Sequence, residues 1–434
     1  MKIRVFFIVI FVILNRVSAE PYRFDNHRIY RLRIERDDQL KILRNLRTGP
    51  SSYEFFDEPH KVGQDMDIVV PPSLQSEFES ILKDKEFAAK LMVNNFQELL
   101  DRERRQSDDG EFGWESYHNV DEIHQWLYSI EERYPEVTII KAGTTYEGRD
   151  ILGVNINRNP GQNPGIFIES QIHAREWITS ATATWIINKF LTATDEQPDI
   201  KFLADNINWY IFPVINADGY EYSRNHYRLW RKTRSKQGLI CNGVDPNRNW
   251  DVFWEKGGIG SSANMCEINF AGPTAFSEVE TKALSEYILS IRDNLNFYLA
   301  FHCARNMLLF PWGHTANPNV NYFQYTDIAS ATVRALRERH GTEYTYGSIY
   351  STIYPATGSS ADWVQYALNI PGFTYEFRYF NTATGEIYDY VTPPEEILPN
   401  AEEVLDSLIV LVEKATEHGY INISAPSGRG NKQK

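Results

Sequence analysis

The sequence predicts an α/β fold, a mixed sheet covered by helices on both faces, preceded by a small, separate α+β open-sandwich module. Three observations carry this expectation. From about residue 113 onward, short β-branched and aromatic runs alternate with stretches of helical spacing, the pattern of a parallel or mixed sheet. The first hundred residues hold strand and helix runs of their own and end in a charged, dibasic stretch, Arg102 to Gly110. At 434 residues and 42% hydrophobic content, the chain exceeds one typical domain and supplies an ample core.

The N-terminus opens with Lys2 and Arg4, an apolar run from Val5 to Leu14, and then Val17-Ser18-Ala19. This is the charge, core and small-residue pattern of a signal peptide, so residues 1–19 are expected to be removed and the protein secreted from Glu20. No later run reaches the roughly 18 apolar residues that a membrane span needs, and no anchor is expected. Residues 20–105 form the first module. Arg28 to Ile34 alternates like a strand, Asp37 to Leu46 has helical spacing, and Asp65 to Val70 is a strand stopped by Pro71-Pro72. A helix over Ser73 to Leu82, a short strand at Leu91 to Val93 and a helix from Asn95 to Arg105 complete it, helices on one face. Residues 106–112 read as a linker.

The second unit spans 113–421. Asn119 can cap a helix with the apolar face Ile123, Trp126, Leu127 and Ile130. Strands at Val137 to Lys141 and Ile151 to Ile156 flank a turn, and Ile166-Phe167-Ile168 reads as a buried strand handing over to a helix from Thr179 to Leu191. A strand at Asn208 to Phe212 precedes a long irregular stretch, Asn216 to Ser277. A helix to Ile291, a strand at Phe297 to Phe301, a helix from Asp327, a strand at Phe373 to Phe377 and a last helix through Leu405 and Val412 follow. Residues 422–434 read as a disordered tail that carries the glycosylation sequon Asn422-Ile423-Ser424.

A net charge of -14, with no basic stripe interleaved with aromatics, argues against a nucleic-acid partner. Three cysteines exclude a disulfide-built fold but allow one bridge in an oxidising compartment. We expect it between Cys241 and Cys266, stabilising the fold by about 3 kcal/mol in the chain-entropy picture. Cys303, in an apolar strand, reads as an inert buried thiol.

Chemistry concentrates where strands end. His173 and Glu176 follow the Ile166 strand, at the sheet edge where α/β folds bind ligands, and offer the N and O donors of a catalytic zinc site. The spacing alone is weak evidence. His340 and Glu343 repeat it, but His340 closes a helical run just before Gly341 and reads as a C-terminal cation beside a capping glycine. His302 also ends an apolar strand, and Glu376 is an acid at the end of another. The irregular stretch gathers Arg228, Arg231, Lys232, Arg234 and Arg248 among aromatics. In an acidic protein that density suggests recognition of an anion, since guanidinium matches a carboxylate in bidentate fashion.

Seven segments in order, IHAREW (172–177), WRKTR (230–234), GVDPNRNWD (243–251), SEVE (277–280), FHCARNMLLFPWG (301–313), TIYPATGSSADW (352–363) and FTYEFR (373–378), resemble the zinc metallocarboxypeptidases of the pancreatic A/B type. The likeness runs from about Gly113 to Gly419, and the 20–105 module resembles the activation domain of their zymogens. The resemblance implies one Zn²⁺ per chain on His173, Glu176 and His302 with water in the open position, Asp245 orienting the His173 ring, and Glu376 as general base. It implies that Arg231, with the metal, stabilises the oxyanion. Asn247, Arg248 and Tyr354 would clasp the substrate's terminal carboxylate, and Arg175 would bind peptide further along the cleft.

By the same similarity Gly313, Ile349, Ser359, Ala361 and Thr374 line the pocket for the last side chain. Where B-type enzymes carry an acid and A-type enzymes a bulky aliphatic residue, this chain has Ala361. A neutral pocket discriminates by apolar burial, roughly 1.5 to 3 kcal/mol for a large side chain, so apolar or aromatic C-termini are expected. Ala304 and Arg305 depart from the family's common Tyr and Ser and should alter subsites before the scissile bond. The expected protein is thus a secreted, monomeric zymogen that acts on peptide or protein C-termini. Its propeptide is the inhibitor, and a trypsin-like protease cuts at Arg104-Arg105. The alternatives are a B-like enzyme for C-terminal Lys or Arg, and a non-catalytic peptide-binding protein that keeps the fold.

Overall fold

The computed structural model describes residues 20–48, 53–105, 111–159, 161, 163–254, 258–379 and 389–423. The expected signal peptide, most of the linker and the tail from Ser424 lie outside them, as does part of the sequon. Ile423 still packs on the main core, two residues past the boundary expected at 421.

The first module is a sheet of β1 (Arg28–Arg33), β2 (Glu54–Phe55), β3 (Asp65–Val70) and β4 (Ala88–Val93), in the order β2-β3-β1-β4. Side chains of a strand alternate between faces, and this sheet uses both. Tyr30, Leu32, Ile68 and Val70 bury against the helices Asp37–Thr48 and Gln75–Asp84. Ile29 and Val69, from the opposite face, join Phe24, Phe56, Phe96 and Leu100 in the large core of the second unit. The expectation of helices on one face therefore needs correction. The third helix, Phe96–Glu103, lies on the other side and seals the module onto its neighbour.

The second unit is built on a sheet of β5 (Val137–Thr144), β6 (Asp150–Ile156), β7 (Gly165–Glu169), β8 (Asn208–Phe212), β9 (Leu295–Cys303), β10 (Met307–Phe310), β11 (Thr345–Ser348) and β12 (Gly372–Phe377). Its order is β11-β10-β12-β9-β7-β8-β6-β5, with β12, β9, β7 and β8 parallel to one another. Buried clusters lie on both faces of this sheet. β8 and β9 lie on opposite sides of β7, so the carboxyl end of β7 is a topological switch point, where a crevice opens for ligands.

The helix Val120–Arg133 carries a complete capping box between Asn119 and Glu122. Cys241 and Cys266 form the expected bridge, and Cys303 is buried and free. The stretch from Asn216 is less irregular than expected. It opens with a helix, Ala217–Asn225, hidden in the sequence by its polar composition and capped by the Asn216 side chain, which accepts from the Gly219 amide.

Candidate active site

The parallel register places the site. His302 on β9 is paired with Glu376 on β12, so the two side chains sit side by side at the carboxyl edge. His173 does not end its strand, as expected, but stands four residues beyond β7, in a loop held rigid by buried amides. Gln171 donates through its side chain to the carbonyls of His173 and Ala174 at 3.1 and 2.9 Å. Asn216 donates to the carbonyls of Ile172 and Lys232, tying this loop to the arginine-rich one.

His173, Glu176 and His302 are all buried and converge. The two Nδ1 atoms lie 3.0 Å apart, and the Glu176 oxygens stand 2.8 Å from His173 Nδ1 and 3.2 Å from His302 Nδ1. His173 Nε2 faces the Asp245 carboxylate at 3.2 Å, which assigns its proton there and turns the Nδ1 lone pair inward. Two imidazole nitrogens and a carboxylate aimed at one point, away from water, are a donor set suited to zinc.

The electrostatics agree. Burial opposes charge on Glu176, but His173 and His302 outweigh it and hold the carboxyl far below its usual range. Burial likewise opposes charge on Asp245, yet Arg231, Arg248 and His173 keep it ionised. Glu376, partly exposed to the cleft, goes the other way: burial, reinforced by the Glu176 charge and opposed by His302, pushes it up to about 7. Two acids at one edge are thereby driven apart, one permanently charged and one poised to exchange a proton near neutrality.

Asp245 also organises the cations. It caps the short turn Pro246–Arg248 by accepting from the Asn247 amide, and its other oxygen takes Arg231 Nε at 3.0 Å. Arg248 is braced by the carbonyls of Gly260 and Asn247, both at 2.7 Å, with the Tyr354 ring 5.7 Å away. The Asn247 side chain lies 3.4 Å from His302 Nε2 and accepts from the Ser360 amide. Arg175 lies 3.7 Å over the Tyr390 ring. Arg175, Arg231, Arg248 and Tyr354 line one cavity of about 680 Å³, and Arg44, Phe56, Asp57 and His60 of the first module roof it.

A second group lies beyond. Ile349 and Ala361 share a small apolar cluster with Leu309 and Ala356. A side chain at Gly313 would meet the Ala356 carbonyl at 2.8 Å and Ile349 at 3.1 Å, so glycine keeps this space open. Thr374, two residues before Glu376, pairs with Leu309 across the sheet, and Ser359 caps the next helix, Ser360–Leu368. The acid beside Ala361, Asp362, is buried and accepts from the Gly313 amide with both oxygens.

Sequence reasoning missed Gln171, Asn216 and Glu169. Glu169 is buried behind His302, accepting from Ser360 and Tyr298, with one oxygen 3.9 Å from His302 Nε2. Glu169 and Asn216 bond partners distant in the chain, Gln171 bonds its own loop without a recognisable pattern, and the one visible signal was Asn216 at a helix start.

Comparisons with known proteins agree with this geometry. Residues 123–407 match the zinc carboxypeptidase family and residues 30–103 match the carboxypeptidase activation peptide. Zinc carboxypeptidase A 1 of Anopheles gambiae is 40% identical over 419 residues, covering 95% of each chain. Carboxypeptidase B of Astacus astacus is 38% identical over 69% of this chain and 96% of its own. The solved carboxypeptidase A from Helicoverpa armigera superposes with a TM-score of 0.79 at 26% identity, covering 91% of this chain and 99% of that one. The chain therefore belongs to the zinc carboxypeptidases, as a zinc metallocarboxypeptidase that carries its own activation peptide.

Proposed function

We propose that this protein is a secreted zymogen which, once its propeptide is cut away, removes single C-terminal residues from peptides, with preference for apolar or aromatic ones. The observation that carries this reading is the clasp at the end of the cleft. Arg248, pinned by two backbone carbonyls next to Tyr354 and Asn247, leaves a guanidinium edge fixed beside the His173, Glu176 and His302 cluster. A free substrate carboxylate satisfies that edge; a peptide without one leaves a buried charge unpaired, which is costly.

His173, Glu176 and His302 would hold the zinc ion, which when bound supplies Lewis-acid polarisation of a carbonyl and acidifies water. Glu376 accepts a proton from the attacking water as the new C–O bond forms. It then delivers that proton to the departing amine nitrogen as the C–N bond breaks. Arg231, fixed by Asp245, directs its charge at the oxyanion that develops between these steps. Asp245 and Asn247 hold the histidine rings and Arg175 holds peptide upstream. The pocket of Gly313, Ile349, Ser359, Ala361 and Thr374 has an apolar floor, and the neighbouring acid, Asp362, is occupied by the Gly313 amide. That favours apolar side chains over Lys or Arg.

Cleavage is assigned to Arg104-Arg105, of which Arg105 is exposed and Arg104 is half-buried, donating to the Arg224 carbonyl. Secretion rests on the apolar leader of residues 1–19; among the described residues no helix is long and apolar enough to cross a membrane. The test is hydrolysis of blocked dipeptides ending in Phe or Arg by trypsin-treated protein, with and without a chelator. Chelator-sensitive release of Phe is expected. Release of Arg in preference would overturn the pocket assignment, and release of neither would overturn the enzymatic one.

A further inference from the structure

Arg305 stands three residues beyond His302, anchored to the base-bearing strand: the amides of Arg305 and Asn306 both donate to the Phe377 carbonyl, at 3.0 and 3.1 Å. Its guanidinium has two anionic partners. One arm donates to Asp389 of the same unit at 3.0 Å, and the other donates to Asp57 of the propeptide. The Tyr390 ring lies 5.8 Å from it. The residue before Asp57 is held in a peptide-like manner: the Phe56 carbonyl accepts from Arg175 at 3.2 Å and from the Tyr390 hydroxyl at 3.3 Å. Phe56-Asp57 thus lies across Arg175, Tyr390 and Arg305 as a bound peptide would, its carbonyl on one arginine and its acidic side chain on the other.

Departure of residues 20–105 removes Asp57 together with the ion pair of Asp67 and Arg31. Of the two anions bonded to Arg305, Asp389 then remains and the place of Asp57 on its other arm is left open, with Arg175 close by on the far side of Tyr390. We propose that Arg305 is a specificity-determining residue, receiving in the activated enzyme an Asp or Glu side chain of the substrate from the two residues before the scissile bond, where Asp57 sits in the zymogen. This rests on the carboxypeptidase reading above and refines its substrate class to peptides with an acidic residue followed by an apolar C-terminus. Charge-assisted bonds to a planar guanidinium discriminate an acid from its amide more sharply than neutral contacts do.

The experiment uses trypsin-cleaved protein and pairs of blocked peptides ending in Phe, with Asp or Asn at the penultimate and then the preceding position. We expect kcat/KM to favour Asp at one of these positions by about tenfold, equivalent to about 1.4 kcal/mol. The ratio should shrink with added salt, approach one in Arg305→Ser and recover in part in Arg305→Lys. A ratio of one in the unmodified enzyme, or a ratio unchanged in Arg305→Ser, would overturn the proposal. Calorimetric binding of the same pairs to cleaved Glu376→Gln protein reads the ratio without turnover. Absence of hydrolysis would thus sink the carboxypeptidase reading, while the binding ratio still decides the role of Arg305.

Discussion

Two His-x-x-Glu sequences occur in this chain, and they end in opposite environments. His173 and Glu176 follow a central parallel strand, are almost wholly buried, and meet a third donor from the neighbouring strand. His340 is the last residue of the helix Tyr322–His340, followed by Gly341 in the left-handed conformation. Its ring faces Glu402 at 3.3 Å, and Glu343 is an exposed partner of Arg337. Identical spacing therefore carries no chemistry by itself. What makes the first pair a site is the switch point of the sheet, which brings His302 and Glu376 to the same edge.

Measurements that separate the two pairs test this directly. The largest effect is expected for His302→Ala, which removes one donor of three. Bound zinc should fall close to zero by elemental analysis, and hydrolysis by about a thousandfold or more, since the metal's Lewis-acid contribution is worth several kcal/mol. His340→Ala should retain zinc and activity and lower stability by about 0.5 kcal/mol at most. A loss of zinc in the helix-end variant would erase the distinction. Next, Glu376→Gln should keep zinc while kcat drops by about 10² to 10⁴, the range for a lost general base. A smaller expected effect is that of Asp245→Asn, which should weaken zinc affinity by about 10- to 100-fold, because the partner that orients a ligating imidazole is lost. Titration with a competing chelator reads it, and unchanged affinity would mean that Asp245 acts through Arg231 alone.

The contrast extends to acids, with the smallest expected effect. Glu343 is exposed, whereas Asp389 is buried against Arg305. Burial pushes Asp389 up to about 7; Arg305 opposes, while Asp67 and Asp57 of the propeptide add to the rise. Without the propeptide Asp57 is gone, Asp67 leaves paired with Arg31, and Asp389 titrates lower. The assembled form therefore holds the extra proton at acid pH, and its affinity falls as pH rises through about 7. The cut propeptide should leave faster at pH 8 than at pH 6, by less than about tenfold, as followed by size-exclusion chromatography. Release at equal rates would remove Asp389 from this role.

Much of this was legible in the sequence because local signals and global fold agree. An apolar run that ends on an unexpected polar residue marked His302 and Glu376, and Asn119 marked the start of its helix. The four-residue strands β10 and β11 escaped, as did the two-residue β2, because such short runs carry little periodicity. The helix Ala217–Asn225 was masked by its polar face turned inward, with Asp218 accepting from Thr145 and Arg149. Contacts such as Asp57 with Arg305, 248 residues apart, leave no trace in local pattern. Only the folded arrangement turns Arg305 from a departure into a residue with partners.

The buried pair between Arg228 and Glu103, with both bonds at 2.6 Å and neither side chain exposed, lies two residues before the assigned cut. It belongs to the contact, not to the tether. The proposed cut at Arg104-Arg105 would leave this anchor in place and change only the statistics of encounter. Before the cut, the propeptide meets the cleft at the effective concentration of a tethered partner, of order millimolar for short linkers. Afterwards the same surfaces obey bimolecular mass action. The enzyme's onset then depends on how far the products are diluted as well as on how fast the bond is cut. A concentrated sample nicked to completion should stay quiet until it is spread out.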